Sequence, residues 1–166
     1  MIRPAEPADA RAIRAVHEAA FPTALEADLV ETLVADGDAV VSLVDAANGE
    51  IVGHVLLSRM RVTGEGRMFR ALGLAPVAVL PGHQGAGIGT RLIEGALAIA
   101  RATGEELVFV LGEPAYYTRF DFAPETAAPF ASPYAGPYFM ALKLAGDVAL
   151  PAAGEAAYAS AFAGLG

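Results

Sequence analysis

The sequence predicts an α/β (α+β) fold: a mixed, mostly antiparallel central sheet that carries one parallel β-α-β unit. Two patterns predict it. Two Val- and Leu-rich runs flank Asn48-Gly49, a pair that favours the tight turn of an antiparallel hairpin. Further on, an apolar run breaks at Pro81, passes through three alternating glycines into a helical pattern, and is followed by the wholly apolar run Leu107-Val108-Phe109-Val110-Leu111. A strand, a crossover helix and a strand covered on both faces make a parallel unit. With 166 residues, 55% of them hydrophobic, the chain is long enough for one cored domain over residues 1–166 and short for two.

Taken in order, residues 8–21 place Ile13, Val16, His17 and Ala20 on one helical face, and residues 24–35 do the same with Leu25, Leu29, Val30 and Leu33. The hairpin strands are expected over 38–45 and 51–60, with Gly53 marking a bulge in the second. A third strand over about 71–80 leads into the glycines. The helix after them buries Ile88, Leu92, Ile93, Ala96, Leu97 and Ala100 and ends near Gly104. Past Phe122 the chain is rich in Ala, Pro and Gly, with a weaker strand near 138–144. The core is therefore expected within about 1–145, and the tail over about 146–166 shows no period that assigns it an element.

The absence of cysteine excludes a disulfide framework, a thiolate metal site and a Cys nucleophile. Met1-Ile2-Arg3-Pro4 does not begin a signal peptide, and no run approaches the roughly 18 apolar residues of a membrane span, so a cytoplasmic chain with no membrane partner is expected. A net charge of −8 argues against nucleic acid as a partner.

The chemistry lies in Val77-Ala78-Val79-Leu80-Pro81-Gly82-His83-Gln84-Gly85-Ala86-Gly87-Ile88-Gly89-Thr90. Glycines at a helix start let a phosphate approach unpaired backbone N–H groups at the positive end of the helix dipole. A mononucleotide P-loop needs a Lys after its second glycine, where Ile88 follows Gly87. A dinucleotide fingerprint needs G-x-G-x-x-G and an acidic residue closing the next strand, where the glycines are 85, 87 and 89 and the strand runs into Gly112. Gln84-Gly85-Ala86-Gly87-Ile88-Gly89 instead resembles, at every defined position, the Q/R-x-x-G-x-G/A acetyl-coenzyme A loop of the GNAT superfamily of N-acetyltransferases. Ala78-Val79-Leu80-Pro81 is similar to that family's A-V-x-P strand end, and Tyr117-Thr118-Arg119-Phe120-Asp121-Phe122 to its Tyr-x-x-x-Gly-Phe element. Gly112-Glu113-Pro114-Ala115-Tyr116-Tyr117, Ala71-Leu72-Gly73-Leu74 and the opening Ile2-Arg3-Pro4 are similar to a bacterial subgroup of predicted N-acetyltransferases. Two positions depart from the pattern: Asp121 stands in place of glycine, and Ala86 in place of a frequent basic residue.

The resemblance implies a GNAT-like fold in which the strands carrying Val79 and Leu111 splay, with acetyl-CoA as co-substrate and no metal. It places Val77, Ala78, Val79, Gln84, Gly85, Ala86, Gly87, Ile88, Gly89 and Thr90 against the cofactor. The pantetheine arm would pair with the first strand as an added strand does, and the Val79 N–H would face the thioester oxygen. It also makes Tyr117 the general acid that protonates the departing sulfur, with Tyr116 left to packing or acceptor lining. Ordinary packing is the alternative for any tyrosine after a buried strand.

A base is harder to place. Glu113 is one candidate, against a solvated acid at a helix start. His54, alternating with Val52 and Leu56, reads first as a packed core histidine, and His83 as an exposed turn residue. Arg91 and Arg119 are weak candidates for phosphate. Phe21, Glu26 and Glu31 are candidates to line the acceptor site, each with a reading as core or polar helix face. The expected function is acetyl transfer to a primary amine of a small molecule or peptide by direct attack in a ternary complex. The alternative is a non-catalytic acyl-CoA-binding module. A homodimer through the apolar segment after Ala145 is also expected.

Overall fold

The structure, a computed structural model, describes residues 1–165. Strand β1 (Ile2–Pro4) leads through a 3-10 turn at Pro7–Asp9 into α1 (Ala10–Ala20) and α2 (Leu25–Ala35). The first helix therefore begins two residues later than its apolar period suggests, because the Pro7 turn occupies its first positions. Arg14 on α1 reaches Asp28 at 3.0 Å and Glu31 at 2.9 Å on α2, which fixes the two helices side by side.

The hairpin is β2 (Ala39–Ala47) and β3 (Glu50–Gly64), turning at Asn48 (φ 53°) and Gly49 (φ 79°). Its pairing slips between Asp45 and Ala46, beside Gly53, as the bulge expectation held. Gly53 has a second reason to be glycine: a Cβ there would stand 2.9 Å from Leu92 Cδ1 and 3.0 Å from Ile88 Cγ2. Both later strands are longer than expected. β3 runs on to Gly64 and β4 (Arg67–Val79) starts four residues before Ala71, because Glu65 (φ 53°) and Gly66 (φ 75°) close a second tight hairpin. The arginines along this outer half break the apolar run, while Val62 and Phe69 bury its inner face.

Next come α3 (Ile88–Ala102), which ends just before Gly104, and β5 (Leu107–Leu111). Short helices α4 (Pro114–Tyr117) and α5 (Pro124–Ala127) precede β6 (Phe130–Ala131), β7 (Phe139–Lys143) and β8 (Gly154–Ala157). Among the described residues eight strands join one sheet, in the order β1-β2-β3-β4-β5-β7 with β8 paired to β3 and β6 to β8, and the parallel pairs are β4–β5 and β6–β8. β8 takes the edge of β3 at Arg61–Gly64, beyond the last residue of β3 that β2 pairs, Ser58.

Alternation along the strands sorts the core onto two faces. Val55, Leu57, Leu72, Leu74, Val108 and Val110 pack against α3. On the opposite face Val44, Leu56 and Ala78 meet α1 and α2, while Ala71, Leu107 and Phe109 meet Phe130, Val148 and Ala156. The C-terminal segment, expected to serve a dimer, is thus folded into the chain's own core: Val148, Ala156 and Phe162 are buried there. Its apolar residues complete a face that α1 and α2 are too short to cover.

Glu105 fastens the entry to β5. Its carboxylate, with a side chain 1% exposed, accepts from Arg59 at 2.6 and 3.0 Å and from Arg70 at 2.8 Å. Burial opposes its charge, and the two guanidiniums outweigh it, holding its pKa below the usual carboxylate range. Glu105→Gln is expected to cost about 2 kcal/mol, the scale of hydrogen bonds to a charged group, read from urea denaturation at pH 7. Because the folded pKa is depressed, that difference is present above the unfolded pKa and shrinks as the pH falls through the folded one.

Candidate active site

The parallel pair β4–β5 is joined only at Ala71–Leu107, Leu72–Val108 and Gly73–Phe109. Beyond Gly73 the strands part, because Ala75 and Pro76 both stand opposite Leu56 and bulge β4 away from a regular ladder. From Leu74 to Val79 the β5-facing edge of β4 is left open. The Leu80 N–H donates to Val52 O on β3 at 2.8 Å, and N–H direction alternates along a strand, so Val79 and Val77 turn theirs into the gap. Backbone groups there need partners from outside the sheet.

At the mouth of the gap the chain makes a 3-10 turn, Pro81–His83, and then the glycine turn. Gly85 and Gly87 take φ values of 83° and 81°, in the left-handed region that side chains disfavour. Gly87 is also the N-cap of α3, which carries no side-chain cap, so the N–H groups of the first turn point outward. Gln84 Nε2 donates to Val79 O at 3.0 Å and ties the turn to the strand. The residues the sequence assigns to a cofactor, all but Ala86, line one cleft of about 580 Å³ together with His83, Tyr116 and Arg119. Ala86 contributes its carbonyl, which accepts from Arg91 Nη1 at 3.1 Å. Arg91 thereby lies over the turn, where the missing basic residue of the pattern would leave no cation.

The two tyrosines divide in a way the sequence did not separate. Tyr116 Oη is 2.9 Å from Thr90 Oγ1, and the Arg119 guanidinium lies 4.3 Å from the centre of the Tyr116 ring. Tyr116 is thus a wall of the cleft at the helix start, and its ring also packs against Tyr117 and Phe120 at the edge of the core. Tyr117 stands behind it against Phe120 and Phe122, and its ring fills the space where a Cβ at Gly112 would be. Burial first, and the Tyr116 phenol second, raise its pKa, so it keeps its proton at neutral pH. Asp121 adopts φ 72°, the left-handed shape that glycine takes easily, so the local backbone survives the departure from the pattern. Asp121→Gly is expected to raise stability by about 0.5–1 kcal/mol, measured as an upward shift in Tm.

Glu113 is not brought to this cleft. It is exposed and serves as the N-cap of α4, accepting from the Tyr116 and Tyr117 N–H groups through its backbone carbonyl. On the α1 face His54 is wholly buried. His54 Nδ1 is 2.8 Å from His17 Nε2, and His54 Nε2 is 2.8 Å from Ser42 Oγ. Burial lowers the pKa of His17 to about 4; burial, with a smaller effect of His17, lowers that of His54 to about 3. Both rings therefore enter the fold neutral. Depressed folded values mean stability that is full above the unfolded value near 6.5 and lost as the pH falls toward them. The Tm is expected to drop between pH 7 and 4, and to drop less in a foldable His17→Gln variant.

Tyr158 is the other residue the sequence did not single out. A Cβ on Gly73, the last paired residue of β4, would lie 2.6 Å from Tyr158 Cε1, so the ring covers the apex of the gap on the α1 face. Burial, helped by Tyr134 and Tyr117, raises its pKa. Nothing in the Ala- and Gly-rich tail marks it beforehand. Among the described residues no group of three His, Cys, Asp or Glu could hold a metal, and no helix is long and apolar enough to cross a membrane.

A parted parallel pair with a glycine helix start at its mouth defines a class, and the chain belongs to it: the acetyltransferase (GNAT) domain family, whose family model matches residues 1–124. Among individual relatives, the chain is 42% identical over 118 residues to the uncharacterized N-acetyltransferase YjhQ of Escherichia coli K12, covering 70% of this chain and 65% of that one. The chain thus spans just under two thirds of that relative's length. It is 35% identical over 123 residues to the uncharacterized N-acetyltransferase YhbS of the same organism, covering 74% of this chain and 72% of that one. The crystal structure of YhbS in complex with CoA superposes with a TM-score of 0.88 at 30% identity, over 100% of this chain and 93% of that one. A GNAT family acetyltransferase from Brucella melitensis in complex with acetyl-CoA gives 0.80 at 34%, over 98% and 97%.

Proposed function

We propose that this chain transfers the acetyl group of acetyl-CoA to a primary amine by direct attack in a ternary complex. The observation that carries the reading is the open edge of β4 from Leu74 to Val79, aligned with the uncapped start of α3. An amide-bearing arm ending in a pyrophosphate fits that pair of features, and the two solved relatives above hold CoA and acetyl-CoA. Acetyl-CoA supplies the activated acyl group.

The chain's own residues do the rest. The N–H groups of Ile88, Gly89 and Thr90 receive the pyrophosphate, with Arg91 and Arg119 beside them. Val77 and Val79 offer backbone N–H groups to the arm and to the thioester oxygen as negative charge develops there, an effect worth roughly a few kcal/mol when the donor is preorganised. Tyr117, kept protonated by burial, gives its proton to the departing sulfur.

The test is thiol release from acetyl-CoA across a panel of primary amines, from short alkylamines to polyamines and a peptide N-terminus. An amine-dependent rate that saturates in both substrates is expected. Tight CoA binding with no amine-dependent release would replace transfer by the binding-module reading.

A further inference from the structure

We infer that His17 takes the proton of the acceptor amine and that His54 and Ser42 carry it away, an inference that rests on the transfer reaction proposed above. Three buried polar atoms among the described residues have no hydrogen-bond partner: His17 Nδ1, Glu26 Oε1 and Ser58 Oγ. His17 lies on α1, Glu26 on α2, and Ser58 on β3, where it alternates with Leu56 and Met60 on the face opposite α3. Because Arg14 reaches both Asp28 and Glu31, His17, one turn further along α1, stands level with the first turn of α2, where Glu26 lies.

His17 is completely buried, and a buried unpaired nitrogen is costly unless something arrives to bond it. Its position points to what arrives. His54, which it contacts, is paired across the ladder with Ala78, one strand from the edge of β4 that opens on the gap. The Phe21 ring stacked on His17 belongs with Ala75 and Tyr158 to one apolar cluster bordering that gap. The unpartnered nitrogen thus belongs to the face of the sheet opposite α3, and the His54 it is bonded through stands beside Ala78, a residue that lines the cleft.

The hydrogen-bonded chain has two possible senses. In one, His17 Nε2–H donates to His54 Nδ1 and His54 Nε2–H donates to Ser42 Oγ, which leaves His17 Nδ1 as a bare lone pair. The other leaves a buried N–H without an acceptor, a rarer and costlier arrangement. With the first sense the proton balance closes. The amine nitrogen forms its bond to the acyl carbon and gives its proton to His17 Nδ1. His17 passes its Nε2 proton to His54 Nδ1, His54 passes its Nε2 proton to Ser42 Oγ, and Ser42 releases its hydroxyl proton to water. Ser42 can do so because it lines a cavity of about 600 Å³ between α1 and α2, whose rim carries Glu6 and Glu31.

The decisive experiment compares amine-dependent thiol release by wild type, His17→Gln and His54→Gln, with CoA affinity from calorimetry and Tm as controls. Glutamine keeps hydrogen-bonding groups and cannot relay a proton. The expected result is kcat lower by about 100-fold in His17→Gln, within the range for a lost general base, and by at least 10-fold in His54→Gln. The KM for amine, the CoA affinity and Tm should change little. Folded, CoA-binding variants with kcat within threefold of wild type would overturn the relay. Failure of every amine to accelerate release by wild type would overturn the transfer reaction itself. Should the variants not fold, ¹⁵N spectra of histidine-labelled wild type decide: the relay requires the Nε2–H tautomer at His17, and an Nδ1–H tautomer there contradicts it.

Discussion

Replacing Tyr117 by Phe is expected to lower kcat for amine-dependent thiol release by at least about 100-fold while CoA affinity stays within threefold. The ring would keep its packing against Phe120, Phe122 and Gly112, so the fold should persist. What disappears is one proton, held at neutral pH because burial raises the phenol's pKa. Loss of a positioned general acid removes 10²–10⁴ in rate. Tyr116→Phe is the internal comparison. Its hydroxyl bonds Thr90 at the helix start, so its loss should raise the CoA Kd by a few-fold and leave kcat within about tenfold. The assay is steady-state thiol release with calorimetric Kd on each variant. If the effects exchange, with Tyr116→Phe losing the turnover, the acid has been assigned to the wrong tyrosine.

Gly87→Ala is expected to weaken CoA binding by about tenfold or more. At φ 81° a side chain costs about 1–2 kcal/mol, and the added Cβ would stand 3.2 Å from Arg91 Nη1. Either the turn relaxes and the first N–H groups of α3 lose their aim, or Arg91 leaves its place above the turn. Both outcomes raise the Kd. Gly82→Ala is the control, because Gly82 has nothing within 4 Å of the added carbon and an ordinary φ. Calorimetry with CoA should separate the two variants cleanly.

Much of this fold is readable before any coordinates, and the legible parts share a cause. Asn48-Gly49 and the glycine turn specify their shapes locally, and the run 107–111 is long and apolar enough to be a buried strand on its own. The hairpin at Glu65-Gly66 is less legible because arginines at 59, 61, 67 and 70 interrupt the apolar run, and the carboxylates that pair with three of them, Glu105 with Arg59 and Arg70 and Glu106 with Arg67, lie far along the chain. The C-terminal segment is illegible for the same reason in a stronger form. β8 is stabilised by an edge of β3 nearly a hundred residues earlier, and Ala-Ala-Tyr carries no period that announces such pairing.

The cofactor half of the site follows the same rule. Apart from Tyr116 and Arg119, the residues lining the cleft lie between Val77 and Thr90, so a motif captures them. The proposed acceptor side draws instead on α1, α2, β2, β3 and the tail, and no spacing joins His17 to His54 or Tyr158 to Gly73. Glu113 attracted attention because it follows β5 directly, yet Pro114 starts a helix there, the Glu113 backbone carbonyl caps it, and the side chain stays exposed. Tyr116 and Tyr117 differ by one position, and only the surrounding rings decide which of them meets the helix start.

The most direct measurement is a crystal structure of this chain grown with CoA. The arm should lie along β4 from Leu74 to Val79, bonded to the Val77 and Val79 backbone, with the pyrophosphate on the N–H groups of Ile88 to Thr90 and the sulfur within reach of the Tyr117 phenol. Density for CoA elsewhere on the surface, with the gap between β4 and β5 unoccupied, would contradict the assignment of this site and of the activity built on it.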